Sequence, residues 1–278
     1  MMIVQVGTIQ FVSDRSSDWI LTRLEGWDDL PSAKNSQDSW PHSHGNAATS
    51  NTWYDGRSIT VEGAYVPSDG SSVERKVREL RALGGSMVNV GVCRDGEWLW
   101  TRAEIRGITS TLGVVNRYAT FQISLLAPNT ALYGTSHVQT VTYTPSTEVG
   151  ILSPLTSPLA DGSSGVAFGA VAITGSGVFP TSVQATITGP FTNGVRVSWQ
   201  NSGKTLYWGH SLGEGESIQF DFNDERVVWG EGESDVSRYL TMIDWAHPTG
   251  DDLIQFEPEG VPSDGNPTMT VEWREAWL

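Results

Sequence analysis

Gly209-His-Ser-Leu-Gly213 fits the G-x-S-x-G pattern of the α/β-hydrolase nucleophile, with Ser211 as the would-be nucleophile and His247 as the downstream candidate base. That elbow works only as a sharp turn from a strand into a helix, which exposes the serine at the top of a parallel sheet. Here Gly213-Glu-Gly-Glu-Ser217 follows, and then a second strand pattern. Glycines start a helix badly, and the flanking strands lack the alternating helices of a parallel sheet. The context predicts a hairpin turn. His42-Ser-His44 could set two imidazoles on one side of an extended segment, but zinc needs more ligands and Asp38 is the only local carboxylate. These histidines are read as polar loop residues.

Carboxylates cluster at Glu214, Glu216, Asp221, Asp224, Glu225, Glu231, Glu233 and Asp235. A glycosidase needs two opposed across a sugar cleft, and a calcium loop needs a D-x-D-x-D-G-like spacing that is absent. Solvated turns explain the cluster, including the repeated Gly-Glu-Gly-Glu-Ser at 213–217 and 230–234. Cys93, the single cysteine, lies in an apolar strand pattern without a base beside it, so an inert buried thiol is expected. No G-x-x-x-x-G-K phosphate loop occurs. The chain is therefore read as non-enzymatic, with no cofactor and no metal. The aromatics of the second half offer a different chemistry: Tyr207, Trp208 and Trp229 are the candidate glycan contacts, as rings that stack on sugar C–H faces. Against that, Val195, Val197 and Trp199 alternate, as do Ile218, Phe220 and Phe222, and Met269, Val271 and Trp273; aromatics that follow the strand period belong first to the core.

The elements that position these residues are mostly strands. Ile3–Val12 reads as an opening strand and Trp19–Trp27 as a second, followed by a polar loop over Ser32–Thr52. Arg57–Tyr65 returns to strand. Ser71-Ser-Val-Glu74 predicts a capping box with Ser71 as N-cap, and Val73, Val77 and Leu80 give one apolar helix face, stopped by Gly84-Gly85. Asp95-Gly96 predicts a hairpin turn between Val88–Cys93 and Trp98–Ile108, with Trp98 and Trp100 on one face. Phe121, Ile123 and Leu125 alternate with Gln122 and Ser124 until Pro128 stops the pairing. Thr140–Gly165, rich in Pro, Gly, Ser and Thr, reads as an interdomain connection. Short strands follow at 183–188, 195–199, 205–208, 217–222, 226–229, 238–243, 253–256 and 269–273, a pattern that suggests an antiparallel sandwich or barrel. The expected organisation is a mainly β chain, with an N-terminal β domain and one α-helix over 1–139, a linker over 140–165 and a C-terminal antiparallel β-sandwich over 166–278.

At 278 residues there is room for two cores, and 38% hydrophobic against 18% charged residues is a globular profile. A net charge of −15 and a pI near 4.6 argue against a surface that grips nucleic acid, which needs clustered Lys and Arg. No stretch approaches the roughly 18 apolar residues of a membrane span, and the N-terminus lacks the basic and apolar regions of a signal peptide, so no membrane insertion is expected and synthesis in a cytoplasm is.

Four stretches together resemble the distal tail proteins of long-tailed phages, most like the minor tail proteins of phages that infect actinobacteria. The first is Leu24-Glu-Gly-Trp27 with the loop ending His44-Gly45. The second is Arg57-Ser-Ile-Thr-Val-Glu-Gly63, similar to an R-x-I-x-L-x-G strand before a helix, with Val61 in the Leu place. The third is Phe121–Gly134, similar to F-x-I-x-L-x-A-P-x-x-x-x-Y-G. The fourth is Ile187-Thr-Gly-Pro190 with Thr270–Trp277 closing the chain. The resemblance implies a virion structural protein with a galectin- or carbohydrate-module-like second domain. It further implies a hexameric hub ring that joins the tail tube to tail-tip or baseplate proteins while the genome passes through the lumen. Six copies at −15 each would give an acidic lumen that repels DNA, with no sequence-specific nucleic-acid binding. The alternative is a carbohydrate-binding module that attaches the particle to the host cell wall.

Overall fold

The computed structural model describes residues 1–34, 53–68, 72–113, 117–143, 169–175, 177–230, 234–262 and 264–278. They divide into Met1–Gly134 with Trp277–Leu278, and Thr135–Ala276.

In the first unit the opening pattern is two strands, not one. Met2–Val6 (β1) and Ile9–Val12 (β2) pair antiparallel about Gly7, whose φ of +58 lets the chain turn where the apolar alternation alone reads as continuous. Trp19–Glu25 (β3), Arg57–Tyr65 (β4), the helix Val73–Arg81 (α1), Met87–Arg94 (β5), Glu97–Leu112 (β6) and Ala119–Ala127 (β7) follow. The strands run in the order β6-β5-β1-β2-β3-β4-β7 and return to β6, a closed seven-strand barrel. Closure depends on the 16 residues of β6. Its first half, Glu97–Glu104, pairs with β5; its second, Glu104–Leu112, pairs with β7, and a register shift between Ile105 and Gly107 bends it between the two tasks. A closed barrel leaves no exposed edge to template aggregation.

Strand period fills the barrel. Ile59, Val61 and Tyr65 on β4 and Phe121, Ile123 and Leu125 on β7 point inward and are buried, while Gln122 and Ser124 are exposed, and β7 ends one residue before Pro128. Burying each such side chain contributes roughly 1.5–3 kcal/mol. The expected helix forms, but its N-cap is Ser72, whose hydroxyl accepts from the Arg75 amide at 3.4 Å; Ser71 lies outside the described residues. Leu80 joins the barrel core, and Val73 and Val77 pack with Tyr65 and Ala119. The Asp95-Gly96 turn forms with φ of +51 and +92, the geometry a two-residue hairpin requires.

Leu132–Thr142 (β8) leads out of the first unit, so strand continues into the stretch read from composition as a connection; 144–168 lie outside the described residues. The second unit contains Gly169–Ile173 (β9), Phe179–Thr188 (β10), Gly194–Trp199 (β11), Thr205–Trp208 (β12), Ser217–Asp221 (β13), Arg226–Trp229 (β14), Ser234–Asp235 (β15), Leu240–Met242 (β16), Asp252–Glu259 (β17) and Thr268–Trp277 (β18). One sheet runs β15-β14-β13-β10-β18-β8 and the other β16-β12-β11-β17-β9. Inward residues from both, among them Val183, Ile187, Val197, Trp199, Phe220, Phe256 and Val271, form one core. The stretch 238–243 opens as a 3-10 turn, Ser237–Tyr239, before β16.

Candidate functional site

The barrel buries one arginine whose guanidinium is held by the backbone. Arg57, the first residue of β4, is 2% exposed, and its guanidinium donates only to backbone carbonyls in the hydrogen bonds it makes. Nη1 reaches Trp27 O and Asp29 O at 2.6 Å and Gly26 O at 3.3 Å; Nε and Nη2 reach Thr130 O at 3.3 and 3.1 Å. Burial pulls the Arg57 pKa down, and the nearby Asp28 and Asp29 pull it back up. Three of the four quoted sequence stretches therefore meet at one side chain: Gly26-Trp27 from the first, Arg57 from the second and Thr130 from the third. Gly26 has φ of +77, and a Cβ there would collide with Ser58 O; a Cβ on Gly63 would collide with Ile20 O and the Phe121 ring. These residues shape the barrel and its adjoining loops.

The outer face of the barrel carries a stacked indole pair. Trp98 and Trp100 lie 4.8 Å apart at 14°, half-buried on β6, with Trp100 lying over Gly91 where no side chain would fit. Cys93, opposite Trp98 in the ladder, is buried as expected, yet it shares this outer face and takes no part in the barrel core. Beside it Arg94 holds Asp28 in a two-toothed ion pair, 2.7 Å at each contact, which lifts the Arg94 pKa.

The hydrolase elements are not assembled. Ser211 is exposed, Leu212 bridges to Phe191, and the chain turns through Glu214-Gly215 into β13 without a helix. His247 contacts Glu225 at 2.9 Å, not Ser211. The acidic residues serve turns: Glu216 accepts from the Gly213 amide, Asp221 from the Asn223 and Asp224 amides, and Asp235 from the Ser237 amide. Among the described residues no group of three or more His, Cys, Asp or Glu is placed to hold a metal. His42, His44, Asp38, Glu231 and Glu233 lie outside them.

The three candidate glycan residues do not share a face. Trp208 is fully buried, packed edge-on against Phe191 and Tyr239, because the alternation of β12 sends it into the core. Tyr207 points to the other side of that strand, where its hydroxyl proton is shared between two acceptors, Asn193 O and the Glu259 carboxylate, each at 3.0 Å, with Arg196 over its ring. Burial, then the bond to Glu259, raises its pKa. Trp229 is half-buried on β14, tilted 51° from Trp208 and met edge-on by His210. The Arg57 node escaped sequence reading, although Arg57 stood in a quoted stretch; an Arg opening an inward-alternating strand was the available signal.

No protein-family model and no curated protein matches the chain. Solved structures do. The SPP1 Dit protein (gp 19.1), described as a paradigm of the hub adsorption apparatus in phages that infect Gram-positive bacteria, superposes with a TM-score of 0.62 at 12% identity, covering 100% of both chains. The phage P2 baseplate in its activated conformation matches with Ca at 0.49 and 12% identity, and with Sr at 0.47 and 13%; both cover 97% of this chain and 98% of the other. Over its whole length, this chain has the fold of a phage distal tail hub protein.

Proposed function

We propose that the chain is a virion structural protein of a phage tail, a distal hub that self-associates and joins the tail tube to tail-tip or baseplate proteins. The single observation that carries this is the full-length fold match, both units included, to a hub protein. The first unit is the ring-forming part, six copies to a ring, and the second the outward platform of galectin or carbohydrate-module type. No catalytic step enters the account; its chemistry is interface burial. Charge is divided unevenly between the units. Residues 1–134 hold 14 acidic and 12 basic residues, a net of −2, whereas 135–276 hold 18 and 5, a net of −13. An acidic lumen lined by first units therefore does not follow from the formal charge of −15; the acidity belongs to the platform. The glycan reading retains only Tyr207 and Trp229, because Trp208 has no free face. Electron microscopy of purified tails with an antibody against this chain tests the placement: label confined to the tail tip supports it, and label along the tube or on the head overturns it.

A further inference from the structure

We propose that the outer face of the sheet β16-β12-β11-β17-β9 binds an uncharged, hydroxyl-rich ligand, a neutral sugar, along a row that crosses the strands. The proposal stands independently of the hub reading. The floor of the row is Thr205, Ser198, Gln255 and Ala170, which the ladders set side by side on β12, β11, β17 and β9. Strand period turns them outward, because their neighbours Val197, Ile254 and Phe256 fill the core. Gln255 is nevertheless only 8% exposed. Its Oε1 accepts from Gln200 Nε2 at 3.4 Å, and its own amide N–H groups meet no acceptor among the described residues. The hydroxyls of Ser198 and Thr205, half-buried in the same row, also make no hydrogen bond among those residues. A side-chain amide this buried is normally paired. Here one stands beside two hydroxyls with the same spare capacity.

The neighbouring row on the same face is taller and already fixed. Tyr207, Arg196 and Glu257 stand opposite one another in the ladders. The Tyr207 hydroxyl is tied to Asn193 O and Glu259, and Arg196 reaches Glu257 at 3.4 Å and Glu259 at 3.9 Å. Side chains held in place before binding lose little freedom on it. The same pairs select the ligand. Arg196 is committed to two carboxylates, and Lys204, just before β12, to Asp244 at 2.7 Å, so neither is free for a phosphate or carboxylate. The second unit, with 18 acidic against 5 basic residues, further disfavours an anion. An apolar ligand would strip water from two hydroxyls and an amide without replacing it. A peptide that adds as a strand needs a sheet edge, whereas β12, β11 and β17 are paired on both sides. A sugar hydroxyl both donates and accepts, as does every polar group of the floor, and the Tyr207 ring offers an apolar wall for its C–H groups.

The test is saturation-transfer NMR on the full chain with the methyl glycosides of glucose, galactose, rhamnose and N-acetylglucosamine. Each is supplied at ~10 mM, about ten times the Kd of a ~1 mM site. At least one should receive saturation from the protein. Gln255→Leu and Thr205→Val each keep the side-chain shape and remove the polar group, and each should weaken that sugar by about tenfold. Thr270→Val, on the outer face of the other sheet, is the control and should bind as the unaltered chain does. Glucuronate, which differs from glucose by a carboxylate, should bind more weakly than glucose. Thermal unfolding confirms that each variant is folded. The proposal is overturned if none of the four sugars receives saturation, if folded Gln255→Leu and Thr205→Val bind undiminished, if Thr270→Val loses binding as they do, or if glucuronate matches glucose. Each of these outcomes leaves the hub reading standing, since that reading is tested by the position of the chain on the tail.

Discussion

Arg57 donates to the carbonyl oxygen of Thr130 through both Nε and Nη2, across 73 residues of sequence, and with its remaining nitrogen fixes Trp27 and Asp29. A planar five-donor fork is the side chain able to serve three backbone segments at once. Those segments are the loop after β3, the start of β4 and the turn after β7, which lie far apart in the sequence. Arg57→Leu leaves the carbonyls of Trp27 and Thr130 buried without donors, and is expected to destabilise the chain by roughly 2–4 kcal/mol. Arg57→Lys should recover only part of that loss. Guanidinium unfolding of the three proteins measures the order; a neutral Arg57→Leu would remove the node from the account.

Gly63 faces the Phe121 ring and Ile20 O so closely that any Cβ displaces them. Gly63→Ala is therefore expected to cost about 1–3 kcal/mol, as overpacking does. Gly107, where a Cβ meets nothing within 4 Å, is the control: Gly107→Ala should change stability by less than ~0.5 kcal/mol. Equal effects at the two positions would contradict the packing described.

Trp208 and Tyr207 are adjacent but serve opposite faces of β12. Trp208→Ala should destabilise by roughly 3–5 kcal/mol, as loss of a fully buried aromatic does. Tyr207→Phe, which removes a hydroxyl bonded to Asn193 O and Glu259, should cost about 0.5–1.5 kcal/mol. Thermal unfolding orders the pair. A mild Trp208→Ala variant with altered sugar affinity would instead return Trp208 to the candidate contacts.

Glu272 accepts from Ser136 at 2.7 Å and from Arg274 at 3.0 Å, and these bonds, Ser136 first, hold its carboxyl below the ordinary glutamate value of 4.5. A carboxyl whose folded pKa is depressed adds stability above its unfolded pKa and loses it as pH falls through the folded one. Ser136→Ala should therefore destabilise the chain at pH 7 and converge on the unaltered protein in acid below the folded pKa. Urea unfolding from pH 7 down to about 2.5 follows the convergence; a difference that is constant with pH would assign the loss to packing.

Much of this fold was legible because strand period and turn chemistry are local. The inward sets Phe121-Ile123-Leu125 and Val195-Val197-Trp199, the Asp95-Gly96 turn and the Val73-Val77-Leu80 helix face each follow from neighbours in sequence. Barrel closure was not legible, since it depends on β6 serving β5 with one half and β7 with the other, a relation between distant strands. The strands β8 and β9 border composition that reads as linker. For the candidate glycan site, the period that placed Trp199 in the core also applied to Trp208, and aromatic character alone does not outweigh it. Arg57 was missed as a node because its partners are carbonyls, which leave no trace in side-chain spacing.

The most direct test of the central claim is the solution mass of the unaltered full chain across a concentration series. A hub that closes on itself predicts a species that saturates near six times 30.2 kDa and grows no further. A mass that remains at 30.2 kDa at every concentration, or that climbs without a plateau, would contradict it.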